Sequence, residues 1–483
     1  MKNFPKKFLS LWIFAVICLA GSGNLYASHA IGAELTYECM GGNRYRLTYT
    51  FYRDCEGISA PGSVDVSVTS SCYLPANVVL LPAAGSPQDV SPVCSSVLSY
   101  CHIGPYKGIE EYTYVGEFTL PGTCFDWIFA YGECCRNNVI STIPPNSTYN
   151  LYVFSRLNNM YGVCNNSPDF TTKPIPILCI GQNFCFNNGT TDIDGDSITY
   201  QLITPLSASG TPVAYTNPPY SHQRPLLTNT PPTFNPATGE FCMTPSQSDV
   251  SVFAVLVSEF RDGVLIGQVE RDIQIQALSC QSLYPTVSGI NGAPDSYRDT
   301  VLCAGKNYQF FIATNNAESS EMTSLSWDGL LPGAVVQQTN TSPDTLVINW
   351  TPSPLLIRTQ SYCLNVSITD DACPYPGVVT KTFCFTVIDS LDSDCQTADI
   401  PSVRADQAVK LHSPERNSMY KLEWPDAEVF SEFRIVDISG RVLHSGRVGG
   451  RKEYLFDLAS FQSGLYVVCL DGTSRWRGRI VRH

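Results

Sequence analysis

Cysteine spacing constrains this chain more than any other feature. The 483 residues carry 20 cysteines. Cys18 lies in an apolar leader and Cys469 near the carboxyl end, so 20 − 2 = 18 fall between Cys39 and Cys395. An even set of this size, without the clustered C-x-x-C pairs that hold zinc, reads as a disulfide framework formed in an oxidising compartment. Each bridge contributes about 2–4 kcal/mol by restricting the unfolded chain. Spacing leaves the connectivity open. Cys134-Cys135 is the one close pair, and two separate structural bridges are expected there in preference to a vicinal bridge with a ligand role.

The amino end agrees with export. Lys2, Lys6 and Lys7 precede an apolar run from Phe8 to Ala20, and Leu25-Tyr26-Ala27 offers tolerated −3 and −1 residues. Residues 1–27 therefore read as a signal peptide cleaved after Ala27. The run is too short to span a bilayer comfortably, and no other run approaches that length, so no transmembrane segment is expected in the mature chain. A formal net charge of −13 with no basic stripe excludes a nucleic-acid partner. Hydrophobic residues make up 43% of the chain, enough for packed cores rather than disorder.

Period-two alternation recurs along the chain, and sustained helical periodicity is almost absent. Tyr45, Leu47, Tyr49 and Phe51 share one face of a strand, with Arg46, Thr48 and Thr50 opposite. Ile273, Ile275 and Ala277 form a second inward row, and Tyr362, Leu364, Val366 and Ile368 a third. Val252 to Val257 is apolar on both faces and reads as a central strand. Abundant Gly and Pro between short strands suit an all-β chain. Pro174 and Pro176 mark one boundary, and residues 390–402 read as a linker. The expected organisation is a cysteine-rich β domain over 28–172, a β-sandwich over 173–279, a second immunoglobulin-like sandwich over 280–396, and a small C-terminal β-sandwich over 408–483. Thr244-Pro245-Ser246 recurs as Thr351-Pro352-Ser353, an offset of 351 − 244 = 107 residues, which reads as a weak repeat.

The last stretch resembles the type A C-terminal sorting domain of type IX secretion system cargo. The residues that carry this run from Phe433-Arg434-Ile435-Val436-Asp437-Ile438-Ser439-Gly440-Arg441-Val442-Leu443 through Phe456-Asp457-Leu458 and Ser463-Gly464-Leu465-Tyr466-Val467-Val468 to Arg479-Ile480-Val481. The first segment is strand, Ser-Gly turn, strand. The usual Asn-Pro start is replaced by Ser413-Pro414-Glu415. The resemblance implies that residues 408–483 engage the type IX secretion machinery as a T9SS type A address, and that the product is secreted or held on the extracellular side of the outer membrane. The front of the chain is similar to cadherin-like, gliding-associated bacterial surface proteins. This likeness rests on Ser28-His29-Ala30-Ile31-Gly32-Ala33-Glu34-Leu35-Thr36-Tyr37, Tyr52-Arg53-Asp54-Cys55, Cys134-Cys135-Arg136-Asn137 and Asn166-Ser167-Pro168-Asp169-Phe170. It implies a cadherin-like sandwich over 173–279 and a role in cell adhesion or surface structure.

One motif is built for a metal. Asp192-Ile193-Asp194-Gly195-Asp196 sets three carboxylates within five residues, which repel one another unless a cation or hydrogen bonds satisfy them. Hard Ca²⁺ takes clustered oxygen ligands of this kind. The spacing is not that of an EF-hand and is similar to the calcium-binding turn of cadherin-like sandwiches. Asp192, Asp194 and Asp196 are the expected ligands, with Glu259 or Asp262 as the further donor. The competing reading is a solvated Asp-Gly turn, which is also the reading of Asp370-Asp371.

Catalytic patterns are missing: six histidines give no metal-ligand spacing, and no G-x-S-x-G elbow is present. The expectation is a non-enzymatic surface protein with a surface polysaccharide or protein as ligand. The alternative is a secreted polysaccharide-binding accessory protein or hydrolase, with Trp127 or the tyrosine rows lining a concave site.

Overall fold

The computed structural model describes residues 30–482 except 145–148, 161–163, 175–176, 217–218, 281, 316–321, 330, 340–343, 393–394, 396–409, 413–418, 425–429, 438–440, 450–451, 462–463 and 473–474. The expected signal peptide and the Ser439-Gly440 turn lie outside the described residues. The chain is all-β, as its alternation predicts. No helix among the described residues is long and apolar enough to cross a membrane. There are two compact units. The larger takes in most residues up to Ser390, and the smaller is built mainly from Leu391–His483.

In the larger unit the pairings run in a closed circuit of eight strands. Ala30–Cys39 pairs with Arg44–Asp54, then Ile109–Thr119, Ala76–Pro82, Val64–Thr69, Trp127–Glu133 and Leu151–Leu157. The circuit closes through Val264–Leu278, which pairs with Leu151–Leu157 at Gly267–Val269 and with Ala30–Cys39 at Arg271–Ile273. Tyr45, Leu47, Tyr49 and Phe51 point into its core, each at most 2% exposed, beside Val64, Val66, Phe129 and Val153. Trp127, a lining candidate only under the polysaccharide-binding alternative, is 1% exposed and stacks on Tyr73 at 5.3 Å. Its indole belongs to the core.

Val264–Leu278 also pairs from Val264 to Gln276 with Val250–Arg261, the central strand of the next module. Both faces of the strand are buried: Asp272 and Gln274 are at most 5% exposed, as are Ile273 and Ile275, and Arg136 covers Asp272. The sheet thus runs unbroken across the expected boundary at 172/173. A second core gathers Phe184, Phe186, Phe241, Phe253, Val255 and Ile275.

The following sandwich has one sheet ordered 286–287, 308–315, 345–350 and 335–338, and another ordered 299–303, 378–388, 362–370 and 323–328. Trp350 of the first sheet meets Phe385 and Tyr362 of the second edge-on, at 6.0 and 5.8 Å. The Thr-Pro-Ser repeat marks a shared construction. The carbonyl of Pro245 accepts from the Gly181 amide, and that of Pro352 from the Gly305 amide, both at 2.8 Å. Each glycine has φ of 79° and lies two residues past a cysteine, Cys179 or Cys303. Each cysteine ends a parallel edge strand, Ile177–Cys179 or Asp299–Cys303. The pattern Cys-x-Gly-x-Asn-aromatic therefore heads both modules.

Disulfides lock this unit. Cys39–Cys164, Cys55–Cys101, Cys72–Cys124, Cys185–Cys242 and Cys363–Cys384 lie within the modules expected from sequence, Cys179–Cys280 closes the second module one residue past its expected end at 279, and Cys94–Cys373 joins segments 279 residues apart. Cys303 and Cys395 are also disulfide-bonded. Cys134 and Cys135 bond to each other. The expectation of two separate bridges there is corrected, because the other cysteines from Cys39 to Cys395 are bonded elsewhere.

The smaller unit pairs Lys410–His412, Met419–Glu423 and Glu453–Asp457 in one sheet, and Val442–Arg447, Phe430–Asp437, Gly464–Gly472 and Arg475–Arg482 in another. Leu422, Trp424, Phe433, Ile435, Phe456 and Val468 fill its core, and Cys469 is a buried thiol.

Candidate metal centre

Four segments distant in sequence meet at the Asp192–Asp196 turn. The turn forms because Gly195 supplies φ of 81° and because Asp192 Oδ1 accepts the Asp196 amide at 2.8 Å. Strand Ser197–Ile203 follows and pairs with Val250–Arg261, setting Ile198 opposite Glu259. Across the next pairing Glu259 faces Gly267. A Cβ at 267 would lie 2.2 Å from Glu259 Oε2 and 2.7 Å from the Tyr37 hydroxyl, so this glycine makes room for the carboxylate.

The fourth segment is Asn165-Asn166-Ser167, held on the first strand beside the Cys39–Cys164 bridge. Asn166 Oδ1 accepts the Cys39 amide at 2.9 Å, and Ser167 exchanges hydrogen bonds with the Tyr37 backbone. Asn165 donates to Glu259 Oε2 at 3.0 Å and accepts from Arg261 at 2.8 Å. Sequence reasoning named neither Asn165 nor Arg261. Their signal was the run of polar residues after Cys164 and a cation two residues past Glu259.

Carboxylate oxygens of Asp192, Asp196 and Glu259 all lie within 4.8 Å of one another. Asp194, the third expected ligand, is turned toward other donors: its oxygens accept from the backbone and side-chain nitrogens of Asn166 at 2.8 and 3.0 Å. Of the two further donors expected, Glu259 joins the cluster, whereas Asp262 sits in the hairpin turn with φ of 51°. Arg261 grips Asp196 through Nε and Nη2 and approaches Asp194 at 3.4 Å.

One guanidinium does not neutralise four carboxyl groups. Glu259 is 0% exposed, and its Oε1 has no hydrogen-bond partner; neither has Asp192 Oδ2. Burial, reinforced by the charge of Asp192, pushes the Glu259 carboxyl up to about 10. Burial raises Asp192 as well, opposed by the Asp196 amide. Two buried carboxyls short of partners call for a proton or a hard cation between them, and the oxygen-only donor set fits Ca²⁺. Among the described residues Asp370 joins no carboxylate cluster of this kind; its Oδ1 accepts the amides of Ala372 and Gly377, which fixes its loop.

No family model matches the chain, and no curated protein matches it. Among solved structures it is similar to the I-band fragment I67-I69 from titin, at 10% identity and a TM-score of 0.16 over 65% of this chain and 96% of that one. Human CDH23 EC21-23 gives 13% and 0.18 over 65% and 98%. BcpA, the major pilin subunit of Bacillus cereus, gives 10% and 0.18 over 62% and 95%. Likeness at this level carries no argument about function.

Proposed function

We propose that the chain is an exported, cell-surface protein whose disulfide-locked sandwiches serve an adhesive or structural role without turnover, and that Asp192, Asp196 and Glu259 take Ca²⁺ beside Asp194. The observation that carries the first part is the bonding of the cysteines from Cys39 to Cys395 into bridges, which a reducing cytosol would not sustain. The sequence resemblance of residues 408–483 supplies the route, the type IX secretion machinery. The self-contained core around Phe433 and Trp424 suits a module that is recognised and then removed.

Deleting residues 408–483 tests the route. Fractionation is expected to find the shortened protein retained in the periplasm, with the intact chain outside the outer membrane. Unaltered export of the shortened protein would sink the sorting role.

A further inference from the structure

The runs Tyr52-Arg53-Asp54-Cys55 and Cys134-Cys135-Arg136-Asn137 lie outside the metal centre, and the fold brings them together. Arg53 and Arg136 both pair with Ala30 of the first strand. The residues that follow them, Asp54 and Asn137, meet through their side chains. Lys107 joins them from a third segment. The Cys55 amide donates to the Gly108 carbonyl at 3.0 Å, and Asp54 stands opposite Ile109, which seats Lys107 beside the strand end.

The side chains of Lys107 and Asn137 converge on one atom. Lys107 Nζ donates to Asp54 Oδ2, and Asn137 Nδ2 donates to the same oxygen at 3.1 Å. The other half of the Asn137 carboxamide is held as well, because its Oδ1 accepts the Val139 backbone N–H at 3.1 Å. The two contacts fix the orientation together: turned over, the carboxamide would set oxygen against carboxylate and nitrogen against N–H. Asp54 is anchored through Oδ1, which accepts the Glu56 amide at 3.2 Å. Asp54 and Asn137 are each 1% exposed, and the Lys107 side chain 17%. Ile109 packs with Ile31 and Tyr52 in a small apolar cluster on this strand end.

Each group has the place that acyl transfer within one chain requires. Lys107 carries the nucleophilic nitrogen, Asp54 is the general base that both reacting groups touch, and Asn137 Cγ is the electrophile. The Val139 N–H lies on the oxygen where negative charge develops. A structural ion pair needs Lys107 and Asp54 alone; it gives no role to a carboxamide held at both ends on the same carboxylate oxygen.

We infer that Lys107 and Asn137 become joined by an isopeptide bond, with Asp54 carrying the protons. The Lys107 ammonium passes one proton to Asp54, and the amine attacks Asn137 Cγ. The new C–N bond forms while the Val139 N–H holds the oxyanion. Asp54 hands its proton to Nδ2, the Cγ–Nδ2 bond breaks, and ammonia leaves. The second proton shed by the Lys107 nitrogen departs through Asp54 with the ammonia, as ammonium. One C–N bond forms and one breaks, so no oxidant or co-reactant is required. The product is a staple in the first module that thiol reductants do not open. The inference goes beyond the surface role proposed above and depends on neither the export route nor the metal.

Mass spectrometry of the purified protein, after reduction and alkylation, tests it. The tryptic digest is expected to hold one branched peptide joining Lys107 to Asn137, lighter by one ammonia, about 17 Da. Lys107→Arg keeps a cation on Asp54 but offers no amine, and should leave the peptide carrying Asn137 unbranched at its full mass. Asp54→Asn, with an unaltered circular dichroism spectrum, should do the same, since a carboxamide takes no proton from an ammonium. An unbranched Asn137 peptide in the natural protein, or ammonia lost at other residues only, would overturn the assignment. So would a bond that forms undiminished in Asp54→Asn. If Asp54→Asn does not fold, the natural protein's branched peptide and its loss in Lys107→Arg decide whether the bond exists.

Discussion

Glu259 shows what one residue can demand of its surroundings. Its carboxylate is fully buried, faces Gly267 across the hairpin, and receives one hydrogen bond from Asn165 while Oε1 receives none. Asp192 and Asp196 were legible as candidate ligands because they are close in sequence. Asn165 and Arg261 were not, because only the strand register and the Cys39–Cys164 bridge bring them to the turn. On the proposed reading Ca²⁺ is a stabilising ligand. Free Ca²⁺ at 100 times its dissociation constant would add about 2.7 kcal/mol, a rise in midpoint of roughly 3–5 °C for a unit of this size. Calorimetry in Ca²⁺ and in chelator is expected to reveal that rise. Glu259→Gln, which keeps an acceptor for Asn165 but loses the negative charge, is expected to lose most of it. An equal response in both proteins would remove Glu259 from the ligand set.

At the scale of elements, the decisive piece is the strand Val264–Leu278, which belongs to two modules at once. Its apolar rows at Ile273, Ile275 and Ala277 were readable as alternation. Its second buried face was not, since Glu270, Asp272 and Gln274 look like solvent-facing residues until their partners are known, and Arg271 interrupts the apolar row itself. Those partners come from far away: Arg136 pairs with Asp272, and Glu34 with Arg271 at 3.1 Å. Buried ion pairs of this type are costly to break by removing one member. The Cys-x-Gly-x-Asn-aromatic heads of the two later modules went unread because the spacing from glycine to Thr-Pro-Ser differs between them. The junction of the first strand with Val264–Leu278 tolerates no side chain at Gly32, where a Cβ would lie 2.6 Å from the Asp272 carbonyl oxygen. Gly32→Ala is expected to cost about 1–3 kcal/mol in urea unfolding. Gly62→Ala, with nothing within 4 Å of the added carbon, is expected to stay within about 0.5 kcal/mol. Equal costs at both sites would mean that this junction yields easily.

For the molecule as a whole, covalent closure decides how the larger unit comes apart. An even set of cysteines was readable as a framework, but not its most consequential bond, because spacing carries no information on which distant loops meet. Cys94–Cys373 spans 279 residues, and even with the shortcut through Cys179–Cys280 the loop it closes stays long. Cys363–Cys384 spans 21 residues and joins strands that already pair residue for residue. Loop-closure entropy grows with the logarithm of loop length, so the two bridges contribute unequally although both fall near about 2–5 kcal/mol. Replacing Cys94 and Cys373 together by serine should therefore lower the unfolding free energy of the larger unit by about 1–2 kcal/mol more than replacing Cys363 and Cys384. The Cys94 amide donates to the Pro374 carbonyl at 2.9 Å, a bond that survives the substitution and holds the segments in register while the chain is folded. Denaturant unfolding of the two double variants, read by near-ultraviolet circular dichroism, would reveal the difference. A larger loss for Cys363 and Cys384 would mean that native-state packing at the strand pair, rather than restriction of the unfolded chain, sets the stability of this unit.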